Sequence, residues 1–333
     1  MADQTTAQSL ATSGREQPPR WNFAMMAKLP MLPVLVVTFA ALSTSVDGFA
    51  SAANLANMAR LFAPLVIAAI GMTCVFLLGE IDLSVGSVLS LASVLGTLVM
   101  RGTGSVWLGV FVAIATGAAI GGFNGVVIAW LRFSSFVHTL GILVTARAVG
   151  MLITGGHSVG RLPVAALQFG RGSWLGLPNL LWLAAGVYVL AHFVLRQTII
   201  GREFFLVGAN RRGSVFAGLA VQRTRFLAFL FSGTLAGLAG ACVVLRLGSG
   251  GPILGDNLLL MAIASVVLGG TSVFGGEGGV FRTVTGALVV VMLDKGLNLL
   301  GLEFYDQAIV MGLVIIFGSA LGGHLYRQRT GRA

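Results

Sequence analysis

The chain has 333 residues, of which 56% are apolar and only 10% charged, and its mean hydropathy is +0.93. Soluble domains carry about 25% charged residues, so this composition excludes an ordinary soluble protein and places the chain in a membrane. Apolar runs of about 20 residues cross the hydrocarbon core as helices, because an unpaired backbone group is very costly there. The predicted fold class is therefore all-α, a polytopic transmembrane helix bundle.

The predicted elements begin after a polar segment, residues 1–28, which we interpret as a disordered cytosolic leader. It lacks the basic region followed by an apolar region that a cleavable signal peptide has. Residues 29–326 are predicted to form one transmembrane domain, and residues 327–333 a basic cytosolic tail. The domain contains about ten apolar stretches, taken with a window of about 19 residues. They lie near residues 30–47, 58–78, 83–100, 106–130, 134–154, 174–195, 226–246, 258–273, 280–300 and 306–325.

The orientation follows from Lys and Arg in the short loops, which collect on the cytoplasmic side of membrane proteins. With the N-terminus inside, the inner segments hold most of the basic residues, which supports an even number of spans and both termini in the cytoplasm. Topology and contact with anionic lipid account for most of the net charge of +10, without nucleic acid. The outer segments hold Arg60, Arg101, Arg161, Arg171 and Arg246.

Motifs for nucleotide or metal chemistry are absent from the sequence. It has no G-x-x-x-x-G-K-[ST] phosphate loop, no H-E-x-x-H pair and no nucleophile elbow. The only cysteines, Cys74 and Cys242, cannot assemble a metal site. We therefore predict no catalytic residues, no metal and no cofactor, and any nucleotide energy must come from another subunit.

Polar side chains within the predicted spans serve either packing or a solute pathway. For His138 we favour a hydrogen-bonded packing role, and for Arg147 a salt bridge or a helix-end contact. Asp294 is expected to pair locally, and Lys295 to extend towards the membrane surface. Small residues that permit close helix contact also recur in G-x-x-x-G patterns. These are Gly117, Gly121, Gly233, Gly237 and Gly240.

The longest predicted cytoplasmic loop, residues 201–225, is too polar to cross the membrane. Within it Val215, Phe216 and Leu219 fall on one face of a short predicted helix. Such an amphipathic helix can lie on lipid headgroups or enter a groove of a soluble partner. Its composition alone favours the lipid surface.

The stretch GEIDLSVGS, residues 79–87, places two carboxylates between the second and third spans. Asp82 is predicted to accept a backbone N–H at the start of the following helix, whose positive dipole end favours a carboxylate. Glu80 has no such explanation from helix physics.

This stretch resembles the G-G-I-D-L-S-V-G-S motif of the membrane permeases of binding-protein-dependent ABC sugar importers, the ribose, xylose and galactose type. Four more segments resemble the same family in order: FNGVVIAWLRFSSFVHTLG at 123–141, GREFFLVGANRRGSVFAGLAV at 201–221, AIASVVLGGTSVFGGEGG at 262–279 and GLNLLG at 296–301. The chain also departs from the family pattern. The departures are Glu80 for a glycine, Ser135 for a proline, His138 for a small apolar residue, Arg211, Arg212 and Gly213 for Glu-Ala-Ala, Leu259 and Met261 for acidic residues, and Arg282 for a glycine.

The resemblance implies a pore-forming permease subunit in the bacterial inner membrane, with inverted repeats in its fold. It would translocate a monosaccharide or related polyol delivered by a periplasmic binding protein, while a separate ABC ATP-binding subunit hydrolyses ATP. The pore would be a homodimer, or a heterodimer with a sister permease. The loop 201–225 then becomes the ATPase-coupling element instead of a lipid contact. Its implied coupling residues are Gly201, Arg202, Gly208, Asn210, Arg211, Arg212, Val215, Phe216, Gly218 and Leu219.

By analogy with inverted-repeat transporters, the interrupted segments 79–87 and 247–256 are predicted to be the inner and outer gates. Glu80→Gly is predicted to leave transport near normal. The predicted gate residues are Gly79, Asp82, Leu83, Ser84, Gly86 and Ser87, and the predicted substrate pathway comprises Asn57, Asn124, Thr139 and Asn298.

Other functions remain open at this point. One is an ABC permease for another small polar solute, such as branched-chain amino acids, although the 79–87 motif argues against it. A second is a self-sufficient secondary transporter, which would be expected to carry coupling-ion carboxylates in mid-bilayer. A third, an integral-membrane enzyme, would need a clustered polar site.

Overall fold

The computed structural model describes residues 31–303, 305–314 and 316–317, so the predicted leader 1–28 and the predicted tail 327–333 lie outside the described residues. Residues 305–314 are helical. The preceding elements, in chain order, are α1 (Met31–Ser45), α2 (Ala52–Leu77), α3 (Val85–Thr103), α4 (Val106–Ala129), α5 (Ser135–Thr154), α6 (Val164–Arg171), β1 (Ser173–Trp174), β2 (Leu177–Pro178), α7 (Asn179–Gln197), α8 (Ile199–Ala209), α9 (Arg211–Phe216), α10 (Val221–Leu247), α11 (Gly255–Leu268) and α12 (Val280–Leu299).

Each predicted apolar stretch coincides with a helix, although the last stretch, 306–325, is described only in part. Among the described residues, α2, α3, α4, α5, α7 and α10 are long and apolar enough to cross a bilayer, and α1 and α11 are shorter apolar helices. The all-α, polytopic class is thereby confirmed. The count of about ten spans and the cytoplasmic termini stay predictions.

Helices α2 and α10 form the centre of the bundle. Helix α2 is buried along nearly all of its apolar length, and α10 packs against α2, α3 and α4. Helices α7, α11 and α12 cover other sides of α2. By contrast, less than a quarter of the most apolar stretch of α4, α5 or α7 is buried, as expected of surfaces that contact lipid or another membrane protein.

Glycines explain why α4 and α10 approach so closely. A Cβ atom at Gly121 would lie 2.5 Å from the carbonyl oxygen of Phe229, and Gly117 and Gly233 contact each other's backbone. Gly240, further along α10, packs against the backbone of α3. The predicted G-x-x-x-G faces are therefore confirmed as helix contacts.

The bundle contains two helix breaks, residues 78–84 between α2 and α3 and residues 248–254 between α10 and α11. Helices α2 and α10 run antiparallel, since Gly71 faces Ser232 while the start of α2 lies near the end of α10. We therefore name the two ends of the bundle by their charged residues. The Glu80 end carries the first break together with α8 and α9, and the Arg246 end carries the end of α10 and the start of α2.

Candidate functional site

The first break buries two carboxylates, with Glu80 7% and Asp82 1% exposed. The chain leaves α2 at Gly79, whose φ of +68° is costly for any residue with a Cβ atom. A Cβ at Gly79 would also lie 2.8 Å from the carbonyl oxygen of Phe274. A glycine is thus required where the helix stops, and it directs the following carboxylates into the bundle.

Asp82 is fully supplied with hydrogen-bond donors. Its Oδ1 accepts the backbone N–H of Ser84 at 3.0 Å and the Ser84 hydroxyl at 2.6 Å, while its Oδ2 accepts the hydroxyl of Ser232 at 2.8 Å. The prediction that Asp82 caps the following helix is wrong, because Ser84 is the residue before α3 and Asp82 accepts the N–H of Ser84 within the preceding turn. Ser87 in turn donates to the Ser84 carbonyl at 2.9 Å. Asp82 ties the first break to α10.

The same network extends into α4 and α5. Asn124 donates its side-chain N–H to Ser84 Oγ at 3.0 Å, and His138 Nε2 lies 3.1 Å from Asn124 Oδ1. The backbone N–H of Leu83 donates to Thr139 Oγ1 at 3.1 Å. The packing role predicted for His138 is confirmed. Asn124 and Thr139, predicted as pathway residues, are buried and hold the break in place.

Glu80 accepts two charged donors through one oxygen. Its Oε1 lies 2.6 Å from Arg211 Nη2 and 2.5 Å from Arg225 Nε. Arg225 is also buried and donates its Nη1–H to the carbonyl of Ile128, at the end of α4, at 2.7 Å. Such charge-assisted bonds are about twice as strong as neutral ones. Glu80 therefore connects the first break to α9, α10 and, through Arg225, α4.

A cavity of 590 Å³ lies beside this ion pair. The polar and charged residues of its wall include Glu80, Arg132, Ser134, Ser135, Arg211 and Arg225. The cavity is large enough for water or a small polar molecule to reach the ion pair at the Glu80 end.

The second break packs on α3. The backbone N–H of Gly255 donates to Ser90 Oγ at 2.8 Å, and that of Gly251 donates to Ser93 Oγ at 3.2 Å. A Cβ at Gly86 would lie 2.6 Å from the carbonyl oxygen of Gly255. The two segments predicted as separate gates thus contact each other at the first turn of α3.

The predicted coupling loop is mostly helical, formed by α8, α9 and the start of α10. Val215 is 56% and Phe216 91% exposed. Leu219, expected on the same helix face, lies beyond the end of α9 and packs against the core, so that part of the prediction is wrong. The reason is Gly218, whose φ of +76° turns the chain inward after the helix.

Other predicted coupling residues shape this segment. Asn210 caps α9, since its Oδ1 accepts the backbone N–H of Gly213 at 2.9 Å. Gly208 contacts the carbonyl of Leu77 at the end of α2, and Gly201 contacts the backbone at the end of α7. Close backbone contact therefore fixes α8 against the bundle. The basic side chains exposed on this segment include Arg202 and Arg212.

A second cavity, of 560 Å³, lies at the Arg246 end. Asn57 and Asn298, the other two predicted pathway residues, line it, whereas Asn124 and Thr139 line neither cavity. The four predicted pathway residues therefore form two separate pairs. The basic residues in the wall of the second cavity are Arg60, Arg171, Arg246 and Lys295.

Two further ion pairs confirm the salt bridge expected for Arg147 and the local pairing expected for Asp294, while the extension of Lys295 towards the membrane surface stays a prediction. Arg147 of α5 pairs with Asp256 at the start of α11, and Lys295 Nζ lies 3.5 Å from Asp294 Oδ2. Within the described ranges, no group of three or more His, Cys, Asp or Glu side chains is placed to hold a metal ion.

The sequence did not single out several residues that hold the breaks. Arg225, the buried partner of Glu80, is not among the residues predicted from the sequence to have a role. One feature of the sequence could have predicted an ion pair at this break. Two departures from the family motif have opposite charges, the acid Glu80 and the base Arg211. The serines that bond the breaks, Ser90, Ser93 and Ser232, resemble ordinary small helix residues in the sequence.

Comparison with known proteins gives consistent results. Residues 54–318 match the family described as branched-chain amino acid transport system / permease component. The chain is 37% identical to the ribose import permease protein RbsC of Escherichia coli K12, over 88% of this chain and 92% of RbsC. It is 31% identical to the L-arabinose transport system permease protein AraH of the same strain, over 97% of this chain and 99% of AraH. It is 30% identical to that strain's D-allose transport system permease protein AlsC, over 87% of this chain and 89% of AlsC.

No solved structure matches the chain. The match to the family nevertheless includes both breaks, both cavities and the segment that carries α8 and α9. The similarity to RbsC and AraH likewise covers almost the whole length of those proteins. The chain therefore belongs to this family of transport-system permease components.

Proposed function

We propose that this chain is the pore-forming permease subunit of an ATP-driven ABC importer, which moves a monosaccharide or related polyol delivered by a periplasmic binding protein. The observation that carries the proposal is the similarity, over most of the chain, to permeases named for ribose, L-arabinose and D-allose. The protein is a multi-pass protein of the bacterial inner membrane. Because the sequence has no phosphate loop, ATP hydrolysis is assigned to a separate subunit.

In this proposal the protein has about ten spans and both termini in the cytoplasm, so the Glu80 end faces the cytoplasm and the Arg246 end the periplasm. The distribution of Lys and Arg supports this orientation. The two breaks support inverted repeats, because each follows a long central helix and each next helix starts at a glycine contact, Gly86 in α3 and Gly255 in α11.

The segment 201–225 is proposed to couple ATP hydrolysis to transport. Val215 and Phe216 present apolar surface at the Glu80 end, as a helix that enters a groove of a soluble subunit requires. Arg211, on the same short helix, contacts Glu80 directly. A movement of α9 imposed by the ATPase would therefore reach the first break through one ion pair.

The pore itself is proposed to form between two copies of the chain, or between this chain and a sister permease. The exposed apolar faces of α4, α5 and α7 supply surface for that contact as well as for lipid. Asp82 and its partners would keep the first break at a fixed position relative to α10 while the helices tilt.

The test is uptake into liposomes that contain the chain with the ATPase and the binding protein encoded beside its gene. We expect ATP-dependent uptake of a sugar, and we expect V215A/F216A to reduce it by about tenfold or more without changing the thermal stability of the permease, because exposed aromatic anchors dominate docking. Y305A, which removes an exposed aromatic side chain outside the coupling segment and outside α4, α5 and α7, serves as the control.

Two results would contradict the proposal. Uptake that needs neither ATP nor the ATPase would indicate a self-sufficient transporter. ATP-dependent uptake of leucine with no sugar uptake would indicate a permease for amino acids.

A further inference from the structure

The cavity at the Arg246 end collects positive charge from four helices. Arg60 comes from α2, Arg171 ends α6, Arg246 belongs to the last turn of α10, and Lys295 lies near the end of α12. These residues are far apart in the sequence, and only the fold brings them to one cavity. Their convergence is therefore a property of the tertiary structure.

This charge is largely uncompensated. Within the described part of the chain, Lys295 pairs with Asp294, which also attracts Arg246 electrostatically, but none of the three arginines forms an ion pair. Arg60 donates to the carbonyl of Arg171 at 3.1 Å and to Asn57 Oδ1 at 3.4 Å, and Arg171 donates to the carbonyl of Leu247 at 3.3 Å. All these acceptors are neutral. The positive charge of the cavity therefore remains available to a ligand.

Two of the guanidinium groups also have an unused donor. The Nε atoms of Arg60 and Arg246 are buried and have no hydrogen-bond partner among the described residues. A buried N–H without an acceptor costs free energy, so a ligand that supplied an acceptor to either group would be stabilised.

The position of these basic residues relative to the membrane also supports a binding role for the cluster. In the proposed orientation the Arg246 end faces the periplasm, where Lys and Arg are disfavoured in short loops. Of the five arginines expected in outer segments, Arg101 and Arg161 are exposed and lie outside this cavity, and the other three line it. Three of the five exceptions to the charge rule therefore converge on one site.

Neutral amides complete the wall of the cavity. Asn54, Asn57 and Asn298 provide donors and acceptors suited to hydroxyl groups, while guanidinium groups suit carboxylate or phosphate. The volume of 560 Å³ falls within the range of about 300–1,000 Å³ typical of small-molecule sites. We propose that this cavity binds an anionic carbohydrate, a monosaccharide that carries a carboxylate or a phosphate, as the entering solute. This inference rests on the proposed function, since it names the class of solute.

The test is direct binding to the purified full chain in nanodiscs, with D-glucuronate, D-glucose 6-phosphate and neutral D-glucose as probes. We expect at least one anionic probe to bind more tightly than D-glucose, and R246Q/K295Q to weaken its binding by about tenfold or more, the loss of one or two charge-assisted bonds. R101Q and R161Q, which remove exposed outer charges away from the cavity, should leave the affinity unchanged.

The inference is overturned if both anionic probes bind no better than D-glucose, or if R246Q/K295Q binds them as wild type does. It is also overturned if the variant loses only its capture of an acidic binding protein, because the cavity would then be a protein-docking surface. The proposed function is tested separately by ATP-dependent uptake. If neutral sugars are taken up and R246Q/K295Q does not alter that uptake, the anion site is rejected and the importer function is retained. If the chain binds anions but shows no ATP-dependent uptake, the importer function is rejected and the anion site is retained.

Discussion

The two ends of the bundle use charge in opposite ways. At the Glu80 end, a buried carboxylate lies within 2.6 Å of two arginine side chains, so that each of these arginines has a carboxylate partner. At the Arg246 end, three arginines line a cavity and have no carboxylate partner among the described residues. Both clusters join distant parts of the chain, but only at the Glu80 end do arginines of the cluster form ion pairs with a carboxylate.

The difference separates structural charge from charge that serves binding. A buried ion is tolerated when an opposite charge and hydrogen bonds offset its desolvation, and removing one partner exposes that cost. A cluster of like charges lowers stability unless something outside the chain balances it. Substitutions at the Glu80 end should therefore mainly change folding and coupling, and those at the Arg246 end should mainly change binding.

The largest effect is expected from R225M, which removes the buried partner of Glu80. The variant should lose about 3–5 kcal/mol of stability, because Glu80 would keep only the half-exposed Arg211 as its counter-ion. The measurement is thermal unfolding of the purified protein in detergent, followed by size-exclusion chromatography. R223M, two residues earlier on α10 and exposed, is the matched control.

The double variant E80Q/R225M distinguishes lost packing from an unpaired charge. It should recover part of the stability lost in R225M, since it leaves no buried ion behind. If R225M unfolds at the wild-type temperature, the ion pair of Glu80 with Arg225 does not stabilise the fold. The proposed structural role of charge at the Glu80 end would then be wrong.

A smaller effect is expected from G86A, which tests the contact between the two breaks. The added Cβ would lie 2.6 Å from the carbonyl oxygen of Gly255, so α3 and α11 must separate. We expect a loss of about 1–3 kcal/mol, as for other overpacked sites, together with reduced uptake. G102A in the same helix is the control, because a Cβ there meets nothing within 4 Å. Equal behaviour of the two variants would show that this contact is dispensable.

Local features of this fold could be predicted from the sequence, whereas the pairing of distant residues could not. Hydropathy predicted the positions of the long helices, and the G-x-x-x-G spacing predicted glycine faces that allow close helix contact. These properties depend on residues near one another in the chain. Leu219 was misplaced because Gly218 ends the pattern that the helix periodicity assumed.

The role of Glu80 depends on residues that the sequence does not bring together. Its partner Arg225 lies 145 positions away, and no periodicity reports that contact. This contact argues against the expectation that Glu80→Gly leaves transport near normal. The change would leave Arg225 buried without its carboxylate partner. Likewise Arg60, Arg171 and Arg246 looked like separate exceptions to the charge rule until the fold placed them in one cavity.

The smallest effect on stability is expected from R211Q, which removes the exposed member of the Glu80 cluster. The Arg211 side chain is 48% exposed, so its ion pair should contribute only about 0–1 kcal/mol. Its position between α9 and the first break nevertheless predicts a coupling defect, with less sugar transported for each ATP hydrolysed. R196Q, at an exposed arginine of α7 outside the coupling segment, should change neither quantity.

The measurement for R211Q is the ratio of uptake to ATP hydrolysis in liposomes, with thermal unfolding measured in parallel. A lower ratio at unchanged stability would show that one ion pair transmits movement from α9 without holding the fold together, unlike the pair that Arg225 forms. If R211Q loses stability as R225M does, the exposed and buried arginines act as one structural unit. In that case the difference between the two ends of the bundle concerns binding alone, and coupling must pass through the backbone contact of Gly208 with Leu77.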